Sequence, residues 1–250
     1  MSDKAGETEP NDGHTRLQPT RQSRKGWVRV LLAGLALFSA LAAIVWWGYL
    51  PQWRPELGAS ERYGVDVSSH QGEIDWDAVS SDDVEFAYIK ATEGGDFIDD
   101  WFDRNWVDAQ NAGLEVGAYH FFTLCRPGAE QAQNYLNVVP LAEADLAPAL
   151  DLEFPGNCSK RPPIEQVQQD VAAWIEKVEE AAGRDVLLYV EKPFDDQYHI
   201  TSMFEQRTWH RKILRRPDGD RWDVWQFSFF ADVDGIDGGV DLNIMRPAES

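Results

Sequence analysis

The chain has 250 residues, 43% of them hydrophobic, and a formal net charge of −20. That length suits one domain of roughly 200 residues plus an appendage, and the composition is ample for a packed core. So strong a negative charge argues against nucleic acid as a partner.

The charge is uneven. Residues 1–29 carry six basic and four acidic groups, so the remaining 17 basic and 39 acidic groups leave the rest strongly acidic. The first segment is polar, with scattered Pro and Gly, and reads as a disordered cytoplasmic tail. Val30 to Leu50 then runs 21 residues without a charge, enough to cross a bilayer core as a helix. Arg16, Arg21, Arg24, Lys25 and Arg29 precede it, and acids dominate beyond Arg54. The positive-inside rule therefore places the N-terminus in the cytoplasm and the large domain outside the inner membrane, with Trp46, Trp47, Tyr49 and Trp53 as the outer aromatic belt. A cleaved signal peptide is the alternative, but the apolar run exceeds the usual 7–15 residues.

Residues 51–61 read as a linker, and 62–250 as the functional domain. Strand-like runs cover Tyr63–Ser69, Phe86–Thr92, Val116–Phe122, Ala147–Glu153 and Val186–Glu191. Helical patterns fill Asp99–Ala112, Gly128–Val139 and Pro163–Ala182. The last is the clearest, with Ile164, Val167, Val171, Ile175, Val178 and Ala182 on one stripe. Strand–helix alternation predicts an α/β fold with parallel strands and crossover helices. The short runs Arg207–Ile213, Asp223–Ser228 and Gly239–Asn243 suggest a barrel whose final third is irregular.

Asp151 and Glu153 lie two residues apart in the apolar run Ala147–Glu153. In a strand they share a face, with Leu152 turned the other way. Paired acids in such surroundings are costly unless used, and a glycosidase needs one carboxyl protonated and one ionised. Asp66 and Asp241 likewise interrupt apolar strands, at the two ends of the domain sequence. Barrel closure would bring the first and last strands together, and barrel enzymes place catalytic groups at strand carboxyl ends.

Other chemistries are weaker. Asp232, Asp234, Asp237 and Asp241 resemble a calcium loop, but the twelve-residue spacing fails, so the segment reads as a turn. Neither H-E-x-x-H nor G-x-S-x-G occurs, and no metal or cofactor is expected. Cys125 and Cys158, each just past an apolar run, suit a disulfide in an exported domain, with free thiols as the alternative. Tyr119, Tyr189 and Trp225 are candidates to stack on sugar, and Gln226 is a further candidate contact. His120 is either a subsite residue or a buried structural one. Arg211 is either an anion contact or an ion-paired side chain.

The motifs DVSSHQG (66–72), IDW (74–76), FAYIKATEG (86–94), AGLEVGAYHFF (112–122), ALDLE (149–153), WQFS (225–228) and VDLN (240–243) resemble, in order and spacing, the glycoside hydrolase family 25 lysozymes. The resemblance implies a shortened, irregular TIM-like barrel that hydrolyses the β-1,4 bond from N-acetylmuramic acid to N-acetylglucosamine in peptidoglycan. It implies Glu153 as general acid and Asp151 as nucleophile or stabiliser, with Asp66 and Asp241 tuning them. Between residues 192 and 222 the match lapses, although Trp209 stands where the family carries a tryptophan. An inert peptidoglycan-binding module and a glycosidase acting on chitin-like polymers are the alternatives.

Overall fold

The structure, a computed structural model, describes residues 21–219 and 221–247. The chain forms two compact units, one ending at Gly48 and one beginning at Tyr49. The first holds helix α1 (Arg21–Ile44), and a π-turn over Val45–Tyr49 follows at the boundary. Residues 1–20 of the expected tail lie outside the described residues. Residues 21–29, also expected in that tail, are helical instead: Arg, Gln and Lys are good helix formers, and the apolar stretch propagates the helix backwards through them. Leu31, Leu35 and Phe38 are each more than half exposed. Gly26–Tyr49 is long and apolar enough to cross a membrane.

The second unit contains strands β1 (Arg62–Val67), β2 (Val84–Glu93), β3 (Phe97–Ile98), β4 (Glu115–Phe121), β5 (Ala149–Leu152), β6 (Leu187–Val190), β7 (Thr208–Arg211), β8 (Trp222–Ala231) and β9 (Val240–Met245). Between them lie helices α2 (Trp76–Ser81), α3 (Phe102–Asn111), α4 (Gly128–Val138), α5 (Ile164–Ala182), α6 (Lys192–Tyr198) and α7 (Ile200–Met203). Hydrogen bonding runs β1-β9-β8-β7-β6-β5-β4-β2, and the β1–β2 pairing closes a barrel of eight strands, with β3 attached to the end of β2. The short helices α2, α6 and α7 escape the sequence pattern because each is only one or two turns long.

Most neighbours in the barrel are parallel, and helices lie in every connection between parallel neighbours except that from β7 to β8. Within the barrel the exception is β9, antiparallel to both β8 and β1, while the appended β3 is antiparallel to β2. Residues 232–239 between β8 and β9 hold no helix, and so short a connection suits antiparallel pairing. The acidic run from Asp232 to Asp237 is therefore a turn in the structure.

Strand alternation divides the core in two. Phe86, Tyr88, Ala149, Leu187, Tyr189, Trp209, Val224 and Met245 pack inside the barrel. Val65, Val67, Ile89, Leu150, Leu152 and Leu188 face outward and pack with helix residues such as Trp106, Val171 and Trp174. Inside, bulky rings require gaps opposite. A Cβ on Gly64 would sit 2.3 Å from the Phe86 ring, and one on Gly117 would sit 2.7 Å from Tyr88. On α5, Val167, Val171, Trp174, Ile175 and Val178 are buried, as the amphipathic stripe predicts, and Gly183 ends the helix in the left-handed conformation at φ 66°.

Two expectations need correction. Residues 51–61 are packed on the barrel rather than free. Asp232 N donates to Pro51 O at 2.8 Å, Arg54 pairs with Asp82 at 2.5 Å, and the Tyr63 hydroxyl donates to Pro55 O. Trp53, expected in the aromatic belt, packs edge-on against Phe227 with ring centroids 5.9 Å apart. Apolar area offered by the barrel competes with the interface for that indole, and wins locally.

Candidate active site

Asp66, Tyr119, Ala149, Asp151, Glu153, Tyr189, Trp209, Gln226 and Asp241 line one pocket at the carboxyl ends of the parallel strands. Asp151 sits on β5 and Glu153 follows one residue after its end, so period-two alternation aims both into the pocket. Asp66 is near the end of β1. Asp241 reaches the same rim from the start of β9, which works only because β9 runs the opposite way. The two are register partners across the β1–β9 joint.

Asp66 is the best-supported carboxylate. Asn243 Nδ2 donates to its Oδ2 at 2.7 Å, and Gln226 Nε2 donates to the same oxygen at 3.3 Å. Each amide is oriented from behind: the Trp209 indole N–H donates to Asn243 Oδ1 at 2.9 Å, and the Tyr189 hydroxyl donates to Gln226 Oε1 at 3.3 Å. Both amides thus present N–H groups to Asp66, which makes it an acceptor. Burial still pushes its carboxyl up to about 6, against the pull of these hydrogen bonds, Arg211 and Asp241.

Burial raises its neighbours too. Asp241 is pushed up to about 8 by desolvation and then by the charge of Asp66. Glu153 rises to about 7, through desolvation and then Glu191, with Arg211 and Lys90 opposing. Asp151 is held well above the usual carboxylate range by burial, Glu153 and Asp66. Its buried Oδ1 has no hydrogen-bond partner among the described residues. Acids packed this closely resist ionising together.

Two cations flank the ring. Lys90 pairs with Glu93 at 2.8 Å and lies 4.9 Å from the Phe121 ring centroid. Arg211 pairs with Glu191 at 3.3 Å and lies over Phe229, so the ion-paired reading of Arg211 holds. Sequence reasoning gave no site role to Lys90, Glu93, Glu191 or Asn243. Strand period alone points to Glu191, two residues beyond Tyr189 on the same face.

Two candidate sugar contacts do not reach the pocket. His120 is fully buried on the outer side of β4, with Thr92 Oγ1 2.7 Å from Nδ1, Gln131 Oε1 3.2 Å from Nε2 and Trp174 stacked on its ring. Burial lowers its pKa to about 3, and it is the structural residue of the two readings. Trp225 is buried among the outer-layer aromatics, its indole N–H donating to Lys212 O at 2.7 Å. Tyr119 and Gln226, their immediate neighbours, point inward, and adjacent strand residues cannot share a face. Trp209 lines the pocket instead.

The loops after β4 and β5 are joined by the Cys125–Cys158 disulfide, which closes a sequence separation of 33 residues. Asn157, one residue before Cys158, braces both loops: Leu124 N donates to its Oδ1 at 2.9 Å, and its Nδ2 donates to Phe122 O and Glu153 O at 2.7 and 2.9 Å. The backbone at Glu153 is thereby fixed.

Comparison with known proteins agrees with this architecture. Residues 65–236 match the family model described as Glycosyl hydrolases family 25, and the match runs through the stretch 192–222 that holds Trp209, which corrects the lapse expected there. The uncharacterised protein YegX of Escherichia coli K12 is 35% identical over 195 residues, 74% of this chain and 69% of that protein. Lysozyme M1 of Streptomyces globisporus is 32% identical over 199 residues, 72% of this chain and 66% of that protein. Among solved structures, a family 25 glycosyl hydrolase from Bacillus anthracis matches with TM-score 0.67 at 33% identity, covering 78% of this chain and 93% of that one. The bacterial lysozyme from Streptomyces coelicolor matches with TM-score 0.66 at 27% identity, covering 76% and 94%. The barrel, its acid-lined pocket and these matches make the chain a glycoside hydrolase, a member of glycosyl hydrolases family 25.

Proposed function

We propose that this protein is a lysozyme that hydrolyses the β-1,4 bond from N-acetylmuramic acid to N-acetylglucosamine in peptidoglycan, with Glu153 as general acid. One observation carries the assignment. Glu153 opens onto the acid-lined pocket with its carboxyl raised to about 7, so it holds a transferable proton near neutrality, where a general acid works best. The lysozyme names of relatives from Streptomyces globisporus and Clostridium acetobutylicum support the substrate class.

In the reaction Glu153 protonates the leaving sugar oxygen as the glycosidic C–O bond breaks and positive charge grows on the ring that remains. Water then adds to the anomeric carbon, its proton passing to a pocket carboxylate. Asp66, braced by Asn243 and Gln226, and Asp151 stabilise that charge electrostatically. The growing cation favours the ionised form of Asp151, offsetting the burial that holds its proton. Tyr119, Tyr189 and Trp209 supply ring faces for the sugar. A substrate-assisted variant draws on one specific observation, the unpaired Oδ1 of Asp151. That oxygen is suited to accept the N–H of the acetamido group, whose carbonyl oxygen then attacks the anomeric carbon. The helix over Gly26–Tyr49 holds the enzyme in the cytoplasmic membrane, with the barrel on the outer side.

Glu153→Gln is expected to abolish release of reducing ends from purified sacculi while leaving thermal unfolding and sugar binding in place. Retention of more than a few per cent of activity would remove Glu153 from the acid role. No release by the wild-type protein would favour an inert binding module, and equal turnover of N-acetylglucosamine oligomers would favour a chitin-like substrate. NMR of fresh product in heavy water reads the stereochemistry.

A further inference from the structure

Three parallel strands carry a row of charge beside the reaction centre. Asp151 pairs in register with Tyr189, and Tyr189 with Trp209; all three line the pocket. Two residues further along each strand come Glu153, Glu191 and Arg211, one layer nearer the mouth and on the same face. The ladder continues to this layer, because Glu191 N donates to Leu152 O at 3.0 Å. Glu191 thus stands next to Glu153, and Arg211 stands on its far side, 3.3 Å away. The guanidinium is held from behind by the Phe229 ring at 5.1 Å.

We propose that Glu191 and Arg211 act as one positioning pair beside Glu153, fixing the pH range over which that residue delivers its proton. The inference rests on the general-acid reading of Glu153 and adds its control. A buried acid's proton affinity follows the nearest charges, and here the nearer pole of an ion pair is negative. Other charged groups also face Glu153. Asp151 lies on its own strand, Asp66 on β1, Asp241 on β9 and Lys90 on β2, while the phenols of Tyr119 and Tyr189 are neutral. Of these charges, Glu191 raises the Glu153 carboxyl most and Arg211 lowers it most. Arg211 also draws down Asp66 and Asp241. The pair is neutral as a whole, so its effect comes from orientation, and removal of either pole alone leaves the other unopposed.

The test is the pH profile of kcat/KM for the full-length chain in detergent micelles, with purified sacculi as substrate. Glu191→Gln should move the alkaline limb down by on the order of one pH unit. Arg211→Gln should move it up by a similar amount. The double variant should return it most of the way. A merely structural role would lower activity or melting temperature with the limbs unmoved. An unmoved or upward alkaline limb in Glu191→Gln, or double-variant shifts that fail to cancel, would overturn the inference. Glu153→Gln, assayed alongside, separates the two readings: residual activity there sinks the acid assignment itself, whereas a dead Glu153→Gln with unmoved limbs sinks only the pair.

Discussion

Asp66 and Asp241 face each other across the joint where β1 meets the antiparallel β9, and the proton affinity of each carboxyl depends on the other. The arrangement needs one proton between them, because two unpaired charges at such a place would repel in a poorly solvated pocket. Asp66 already accepts from Asn243 and Gln226, so the proton belongs on Asp241.

That proton makes stability depend on pH. Asp66, Glu153 and Asp241 bind protons more tightly folded than unfolded. Their contribution is complete below about pH 4 and is lost as pH rises through 6 to 8. Asp241→Asn, which keeps the shape and cannot ionise, should match the wild type near pH 4 and exceed it by roughly 1–3 kcal/mol or more near pH 9. Urea unfolding at the two pH values measures this, and equal stability at both would contradict it.

Asn243→Ala removes the 2.7 Å donor to Asp66 and strands the Trp209 indole. Hydrogen bonds to charged groups contribute about 1.5–3 kcal/mol. The variant should therefore lose roughly 10- to 100-fold in kcat/KM on sacculi while remaining folded.

His120 acts on stability, with the opposite pH sense. Its pKa falls from 6.5 to about 3 on folding, so the neutral ring's contribution is present above about pH 6.5 and is lost as pH drops toward 3. His120→Ala opens a cavity against Trp174 and should cost about 2–4 kcal/mol. It should also flatten the acid side of a melting-temperature profile. Unchanged acid sensitivity in this variant would refute the assignment.

The Cys125–Cys158 bridge should contribute about 3–4 kcal/mol by restricting the unfolded chain. Cys125→Ser with Cys158→Ser tests this by chemical denaturation. Because Asn157 separately braces the backbone of Glu153, activity of the folded double variant should fall less than its stability.

Much of the barrel was legible in the chain. The runs around Asp66, Lys90, Tyr119, Asp151 and Tyr189 all became strands, since β-branched and aromatic runs bounded by turns specify strands locally. Asp151 and Glu153 stood out because period two places them on one face without any tertiary information. Trp225 was misassigned, and His120 left open between two readings, for the same reason in reverse: each adjoins a residue that does face inward.

The amino-acid sequence by itself determined the strand and helix order, the apolar helix near the N-terminus, and which four acids sit in apolar company. Only the closed barrel decided that Asp66 meets Asp241, that Asn243 and Gln226 converge on one carboxylate, and that Glu191 and Arg211 stand beside Glu153. Local patterning fixes which way a side chain points from its own strand, but the partner it meets depends on register between strands distant in sequence. Burial of the pocket then sets the proton affinities of the acids gathered there.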